Sequence, residues 1–354
     1  MSQTTISRGP TDRPAPAVGA ASVSRLTRRP EFGALVAAVA LFAFFAVVAN
    51  DAGFLSFSAT AGWLNTAAEL GIVAVPVGLL MIAGEFDLSV GSVLGGSMII
   101  TAAGSGYYHL PLIVSILIAL AFGVLVGLGN GFLVNRTRLP SFIVTLAANY
   151  VCFGVALGAS RGLTGTSTIS LALSGPWKKV FAAKLGDFNI AILWWLVICL
   201  AAAWVLRRTP FGAWIYATGG NTDSARRAGV PTSRVKLILF VATAAASALC
   251  GVIQTAEFNS GNAASGQGFV FQAPIVAVIG GILLTGGYGS VIGATLGTIT
   301  YGIVNIGLFY TGWSTDWTTA IVGILLVLAV IGNNAIRKLA LTRGPDRPRK
   351  EPTR

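Results

Sequence analysis

The sequence predicts an all-α fold: a polytopic transmembrane helical bundle of about ten spans with both termini in the cytoplasm. Hydrophobic residues make up 54% of the 354 residues and charged residues only 10%, with a mean hydropathy of +0.77. A soluble domain carries about 25% charged residues. Apolar runs long enough to cross a hydrocarbon core of ~30 Å recur along the chain, and in lipid such runs satisfy their backbone polar groups as helices.

The apolar runs follow one another between two polar ends. Residues 1–31 are rich in Ser, Thr, Pro and Arg, which predicts a disordered basic cytoplasmic tail, and residues 334–354 predict a second one. The membrane domain, residues 32–333, contains the candidate spans Phe32–Ala49, Ala67–Ala83, Leu88–Ala103, Leu110–Val134, Ser141–Gly158, Ile190–Leu206, Val235–Ala256, Ile275–Leu284, Ile292–Gly307 and Trp317–Gly332. The Leu88 and Ile275 segments are short or interrupted by Gly, so each is a candidate re-entrant segment.

The distribution of basic residues predicts the orientation. If every segment crosses, both termini lie on one side, together with all Lys and Arg except Arg161, Lys178, Lys179 and Lys184. Cytoplasmic loops carry the excess of Lys and Arg, so this side is predicted to be cytoplasmic. The same distribution accounts for the net charge of +12 without nucleic acid as a partner.

Small residues at four-residue spacing predict close helix packing. They form two stripes, Gly123–Gly127–Gly131 and Gly289–Gly293–Gly297. Small residues let transmembrane helices approach closely, either inside one subunit or at a seam between two copies. The string Gly-Ser-Val-x-Gly, at 91–95 and 289–293, is a weak indication of an internal repeat.

The longest predicted cytoplasmic loop, residues 207–236, contains a short helix over residues 221–229. Asn221 or Thr222 can cap its N-terminus, two arginines suit its negative end, and Gly229 can take the left-handed closing position. Such a helix, standing off a membrane domain, is a suitable docking element for a cytoplasmic partner. The alternative is an ordinary positively charged loop.

A second polar constellation, residues 84–92, lies between two apolar runs. Its carboxylates, Glu85 and Asp87, are costly if they face lipid, so they are expected to face protein, water or a polar path. The structural alternative is that Asp87 or Ser89 caps a helix beginning at Leu88 while Glu85 sits in interfacial water. The two roles are compatible.

Further polar residues fall inside apolar runs: Asn65, Glu69, Asn130, Asn149 and Asn305. The amides are candidates for substrate contacts or for interhelical hydrogen bonds. Glu69 lies near the predicted outer end of its helix and can simply be hydrated. The predicted outer loop 257–274 is rich in Gly, Asn and Gln and can close over a polar substrate, or it is an ordinary loop.

Sequence features of enzymes are missing. No Gly-Lys dipeptide occurs, so the phosphate-binding loop with its lysine is absent and the chain is not expected to hydrolyse ATP by itself. No nucleophile–base pair or metal motif stands out. We therefore do not expect an enzyme, and we predict no catalytic residue, metal site or cofactor in this chain.

The chain resembles permease subunits of ATP-binding-cassette (ABC) importers for ribose, xylose, galactose and related sugars. The resemblance runs in order from about Asn65 to Asn333. Its segments are 84–92, similar to the family's Asp-Leu-Ser-Val-Gly-Ser signature, then 130–131 with 139–146, then 209–229, similar to the loop expected to dock on the ATPase, and 279–291.

The resemblance implies a monosaccharide importer in the bacterial inner membrane. Its partners would be a second permease copy, an external sugar-binding protein, and a cytoplasmic ATPase subunit that carries ATP and Mg²⁺. The implied ATPase-coupling residues are Phe211, Gly212, Gly219, Asn221, Ala225, Arg226, Arg227 and Gly229. The candidates along the substrate pathway are Asn65, Glu85, Asp87, Ser89, Asn130 and Asn149.

Several residues depart from the family pattern and leave the substrate open. Glu85 stands where a neutral residue is common, Tyr288 where a charged one is, and Val270 and Gln272 occupy an often acidic stretch. A same-fold importer for nucleosides or branched-chain amino acids is the nearest alternative. A proton-coupled secondary transporter would need Glu85 and Asp87 as its relay, and a receptor or scaffold is the third alternative.

Overall fold

The computed structural model describes residues 30–172, 175–314 and 316–342. Within these ranges the chain forms 13 α-helices, one π-helical turn and four short β-strands. Of the two predicted basic tails, residues 1–29 and 343–354 lie outside the described part. Residues 334–342 of the second predicted tail instead continue the last helix to Thr342.

In chain order the elements are α1 (Pro30–Val48), α2 (Phe57–Ile82), α3 (Val90–Ala102), the π-helical turn (Ala103–Tyr107), α4 (Leu112–Thr137), α5 (Ser141–Thr164), β1 (Thr168–Ser170), α6 (Pro176–Ala182), β2 (Lys184–Leu185), β3 (Phe188–Asn189), α7 (Ala191–Arg208), α8 (Pro210–Gly220), α9 (Thr222–Arg227), α10 (Thr232–Phe258), β4 (Ser260–Asn262), α11 (Phe269–Ile279), α12 (Val291–Thr311) and α13 (Trp317–Thr342).

Seven helices among the described residues are long and apolar enough to cross a membrane, namely α1, α2, α4, α5, α7, α10 and α12. Shorter apolar helical stretches occur at Phe269–Ile279 and Trp317–Gly332. On the outer helices large apolar side chains such as Leu125, Val155 and Leu200 are exposed, as suits contact with lipid tails. The chain is therefore a multi-pass helical membrane protein.

Two of the predicted spans form short α-helices. α3 has 13 residues and runs directly into the five-residue π-helical turn, whereas α11 has 11 residues and at ~1.5 Å per residue does not span ~30 Å. The predicted Ile275 segment is therefore confirmed as too short to cross on its own. An irregular segment precedes α3, residues 83–89, and another separates α11 from α12, residues 280–290; we call them the first break and the second break. Irregular backbone at membrane depth requires burial in protein or a water-filled cavity.

α2 and α10 lie at the centre of the bundle. Every residue of α2 from Leu70 onward is buried, and α10 packs against α2, α3 and α4. α2 begins at Phe57, earlier than the predicted Ala67, because Ser56 caps it: its Oγ accepts a hydrogen bond of 3.1 Å from the Ala59 N–H. Polar residues lower the mean hydropathy of this first part of α2, so the apolar run alone does not predict it as helix.

The first glycine stripe packs α4 onto α10. A Cβ atom on Gly127 would lie 2.6 Å from the Phe240 carbonyl oxygen, and one on Gly123 would lie 2.6 Å from the Ala248 side chain. The prediction of close packing inside one subunit is therefore confirmed for this stripe.

The second stripe also packs within the chain, although its residues are not the second copy of a repeat. A Cβ atom on Gly293 or Gly297 would clash with backbone carbonyl groups of α11 and its end. Gly289 and Ser290, however, precede α12, whereas Gly91 and Ser92 lie inside α3. The two Gly-Ser-Val-x-Gly strings are therefore not structurally equivalent.

The strands form two small antiparallel pairs outside the bundle. β1 pairs with β4, placing Thr168 opposite Asn262, and β2 pairs with β3 in a hairpin. Because α10 continues to Phe258 and α11 begins at Phe269, the loop between them is shorter than the predicted 257–274.

Candidate functional site

The α8–α9 segment, residues 209–229, forms one end of the molecule. Asn221 caps α9 as predicted, since its Oδ1 accepts a hydrogen bond of 2.8 Å from the Ser224 N–H. Gly229 has a φ of +86°, the left-handed conformation expected where this helix ends. Only Ala225 on α9 is buried, while Arg226 and Arg227 are exposed. α9 therefore offers a capped and positively charged surface.

Glycines bring the end of α8 against both breaks. A Cβ atom on Gly219 would clash with the Ile82 carbonyl oxygen and lie 2.7 Å from the Gly287 nitrogen. The Gly287 N–H itself donates a hydrogen bond of 2.8 Å to the Ile82 oxygen. We call this close backbone contact of residues 82–84, 219–220 and 286–287 the glycine crossing. It connects the α8–α9 segment with the first and second breaks.

Two other predicted coupling residues shape α8. Phe211 is half-buried and stacks edge-on with Trp214 at a centroid distance of 6.5 Å. A Cβ atom on Gly212 would clash with the Leu206 carbonyl oxygen, so this residue permits the sharp turn between α7 and α8. Farther along α8, the Tyr216 hydroxyl donates a hydrogen bond of 2.8 Å to the Gly289 carbonyl oxygen. Burial raises the pKa of this hydroxyl, so Tyr216 stays neutral and keeps its proton for the bond.

A buried polar network fills the first break. Asp87 is fully buried; its Oδ1 accepts a hydrogen bond of 2.6 Å from the Ser89 hydroxyl, and its Oδ2 accepts one of 2.6 Å from the Thr243 hydroxyl. Asn130 donates a hydrogen bond of 2.8 Å to the Ser89 hydroxyl oxygen. These bonds tie the break to α4 and α10.

The predicted cap of α3 is confirmed in part. The Asp87 Oδ1 atom accepts a hydrogen bond of 2.9 Å from the Ser89 N–H at the helix start, whereas the regular helix begins at Val90, not Leu88, and the Ser89 side chain makes no capping bond. A further cap comes from α5: Asn149 Oδ1 accepts a hydrogen bond of 3.1 Å from the Ser92 N–H. A neighbouring helix can supply this acceptor because α5 packs beside the start of α3.

Glu85 also differs from its predicted place in interfacial water. Its residue exposure is 9%, and its carboxylate forms an ion pair with Lys236 of α10. The charge is therefore compensated by the protein, as expected for a carboxylate that is shielded from solvent.

A polar cavity of about 630 Å³ lies at the opposite end of α10. α10 has 27 residues, which corresponds to roughly 40 Å, and its start adjoins the α8–α9 segment while its last residues line the cavity. The start of α2, the β2–β3 hairpin, α11 and α12 supply the other walls. Polar lining residues include Asn65, Glu69, Glu257, Gln272, Tyr301 and Asn305.

Hydrogen bonds hold the cavity walls together. Asn65 binds the β2–β3 hairpin through two hydrogen bonds. Its Nδ2 donates one of 2.8 Å to the Asp187 carbonyl oxygen, and its Oδ1 accepts one of 2.9 Å from the Asn189 N–H. The Asn189 amide in turn donates to Glu257 of α10. Glu69 accepts a hydrogen bond of 2.7 Å from Gln254, so this carboxylate is also bound by α10.

The structure thus separates the predicted pathway residues. Asn65 lines the cavity, whereas Asp87, Ser89, Asn130 and Asn149 surround the first break, and Glu85 pairs with Lys236 beside it. Sequence reasoning missed Tyr301 and the hairpin as cavity walls, whereas Glu257 and Gln272 fall in the predicted outer loop 257–274. The signal was present for others, since Glu69 and Asn305 stand out as polar residues in apolar helices.

This architecture is that of a transport protein: a multi-pass helical bundle with a polar cavity at one end and an exposed, capped helix at the other. The family model described as branched-chain amino acid transport system, permease component, matches residues 59–330. The chain belongs to this family of ABC permeases.

Curated relatives cover most of the chain. The xylose transport system permease protein of Haemophilus influenzae is 28% identical over 84% of this chain and 94% of that protein. The autoinducer 2 import system permease protein of Photorhabdus laumondii is 31% identical over 87% and 90%. The fructose import permease protein of Rhizobium meliloti is 30% identical over 84% and 83%. No solved structure matches the chain significantly.

Proposed function

We propose that this chain is the permease subunit of an ATP-driven importer that carries a monosaccharide, pentose or hexose, into the cytoplasm. The observation that carries the proposal is the polar cavity, whose volume of about 630 Å³ lies in the range of small-molecule sites. The relatives support it, because they are named as importers or transporters of xylose, fructose and autoinducer 2.

The cavity lining favours a neutral, hydroxyl-rich solute. It combines amides and the Tyr301 hydroxyl with carboxylates, and a sugar hydroxyl can both donate to and accept from such groups. Three acidic residues, Glu69, Asp187 and Glu257, against one basic residue, Lys184, disfavour anionic solutes.

A branched-chain amino acid is the second candidate, since the family model carries that description. Such a solute needs an apolar pocket for its side chain and a positive group for its carboxylate. The only cation among the described lining residues, Lys184, is exposed on the hairpin. Apolar side chains are present in the lining, at Leu70, Phe258, Phe269 and Ile306, so the excess of acidic over basic groups is what favours the sugar.

The remaining parts of the proposal follow from the two ends of α10. A cytoplasmic ATPase subunit, which binds ATP and Mg²⁺, docks on the α8–α9 segment through the exposed face of α9 and hydrolyses ATP. An external sugar-binding protein delivers the solute on the cavity side, and a second permease copy completes the path. Both termini are cytoplasmic, with about ten membrane segments in the bacterial inner membrane.

The proposal is tested by uptake into proteoliposomes that contain the permease, its ATPase subunit and its binding protein. Neutral monosaccharides are compared with a sugar phosphate and with leucine. Asn305→Ala removes a polar group from the cavity wall, whereas Asn50→Ala changes an exposed amide outside the lining and is the matched control.

ATP-dependent uptake of at least one neutral monosaccharide is expected. Asn305→Ala should lower it roughly fivefold to tenfold, the effect of losing one hydrogen bond of about 1–1.5 kcal/mol. Asn50→Ala should behave as the native chain. Uptake of leucine but no sugar would favour the second candidate, and uptake without the ATPase subunit would overturn the ABC mechanism.

A further inference from the structure

A shielded ion pair joins the first break to α10. Lys236 Nζ contacts Glu85 Oε1, and their side chains are only 16% and 12% exposed. The other ion pair found among the described residues, Arg207–Glu31, spans 3.9 Å and leaves the Arg207 side chain 55% exposed. Exposed pairs contribute little, whereas removing one partner from a shielded pair leaves the other charge uncompensated.

A short turn connects Lys236 to α9. Four residues, 228–231, connect α9 to α10, and two backbone hydrogen bonds fix this turn. The Val230 N–H donates one of 3.0 Å to the Ala225 carbonyl oxygen, and the Thr232 N–H donates one of 2.8 Å to the Val230 carbonyl oxygen. Lys236 lies in the second turn of α10. A displacement of α9 therefore reaches Lys236 through short, hydrogen-bonded backbone.

Glu85 is held inside the first break. Its N–H donates a hydrogen bond of 3.1 Å to the Leu80 carbonyl oxygen. The N–H of the following Phe86 donates one of 3.0 Å to the Ser141 hydroxyl oxygen of α5. The preceding residue, Gly84, belongs to the glycine crossing, where a Cβ atom on Gly286 would lie 2.8 Å from its Cα. Glu85 thus sits between the glycine crossing and the buried network of Asp87.

We propose that Glu85 and Lys236 are positioning residues that transmit movement of α9 to the first break. The glycine crossing joins the end of α8, just before α9, to the first break, and the ion pair joins the start of α10, just after α9, to the same stretch of backbone. Docking of a partner on α9 therefore shifts the break as one unit. This inference rests on the proposed function, because it assigns the pair to coupling between ATP hydrolysis and solute movement.

The test measures solute uptake and ATP hydrolysis in the same proteoliposomes of the complete importer. The variants are Glu85→Gln, Lys236→Met, the double variant Glu85→Gln/Lys236→Met, and the charge swap Glu85→Lys/Lys236→Glu. Arg136→Gln, which removes an exposed charge at the end of α4, is the matched control. The double neutral variant decides the matter, since it leaves no stranded charge and such replacements are generally tolerated by the fold.

In the double neutral variant, uptake per ATP hydrolysed should fall about tenfold, within the range of coupling between distant sites. Its thermal unfolding temperature should stay near that of the native complex. The charge-swap variant should recover most of the native ratio of uptake to ATP hydrolysis. The inference would be overturned if the double neutral variant had the native ratio of uptake to ATP hydrolysis. It would also be overturned if the charge-swap variant had the native unfolding temperature but still a low ratio. Absence of ATP-driven uptake by the native complex would instead count against the proposed function.

Discussion

Polar residues around the first break are paired with protein groups, several of them from other helices. Asp87 receives hydrogen bonds from Ser89 and Thr243, and Asn149 of α5 caps the start of α3. In lipid or in a dry core, an unpaired carboxylate would be far more costly than these bonds. Such pairs fix which faces of α3, α5 and α10 meet.

Removal of the Thr243 hydroxyl should destabilise the protein. Thr243→Val takes away the donor to Asp87 Oδ2 and leaves a buried carboxylate with one fewer hydrogen bond. We expect the free energy of unfolding to fall by about 1–3 kcal/mol, the range for an unsatisfied buried group. Thermal unfolding in detergent or nanodiscs measures the change. Thr243→Ser keeps the hydroxyl and is the control. Equal stability of the Val and Ser variants would contradict a stabilising role for the hydrogen bond from the Thr243 hydroxyl to Asp87.

At the residue scale, the sequence could predict which side chains are unusual but not what they face. Asn65 and Asn130 are equally conspicuous amides in apolar runs, yet one lines the cavity and the other binds Ser89. The direction in which a helical residue points depends on how its helix is rotated against its neighbours. Glu257 was placed in an outer loop that can close over a substrate, and it lies instead in the last turn of α10.

At the scale of elements, the breaks are as informative as the helices. Both breaks meet the end of α8 in the glycine crossing, where backbones touch without intervening side chains. When one backbone segment in such a contact shifts, its neighbour must shift with it, because there are no side chains between them that could change rotamer instead.

Alanine at the glycine crossing provides a sharp test. In Gly219→Ala the new Cβ would meet the Ile82 carbonyl oxygen, whereas in Gly220→Ala it would have open space. We expect Gly219→Ala to lower the unfolding free energy by about 1–3 kcal/mol, as overpacking does, and to impair ATP-driven uptake. Gly220→Ala should leave both unchanged. Similar behaviour of the two neighbouring variants would show that the close approach has no role.

Element by element, the long apolar runs were sufficient to predict the long helices and the two short ones. The starts and ends were harder, as at Phe57, because a polar first turn looks like a loop to a hydropathy window. The β2–β3 hairpin was not predicted, since strands of two residues are too short to show alternation. The pairing of β1 with β4 depends on residues far apart in the chain, which no local pattern reveals.

For the whole molecule, α10 defines an axis with different chemistry at its ends. The polar cavity and the hairpin lie at one end, and the exposed arginines of α9 lie at the other. The positive-inside rule predicts that the arginine end faces the cytoplasm.

Labelling from each side tests this orientation. Leu185→Cys places a thiol on the hairpin, where the native side chain is 84% exposed, and Ser224→Cys places one on the exposed face of α9. In a variant without the native cysteines, a membrane-impermeant maleimide should label Leu185→Cys in intact spheroplasts. Ser224→Cys should react only after the membrane is opened. The reverse pattern would invert the topology and move the docking surface outside.

The pairing of β1 with β4 also orders the steps by which the chain is made. Five helices, α6 to α10, are synthesised between these strands, so residues 168–170 leave the ribosome long before their partner exists. The strand pair can close only after α10 has been inserted and residues 260–262 have reached the same side of the membrane. Closure therefore completes assembly of this region, and a nascent chain that ends before Ser260 must hold β1 unpaired.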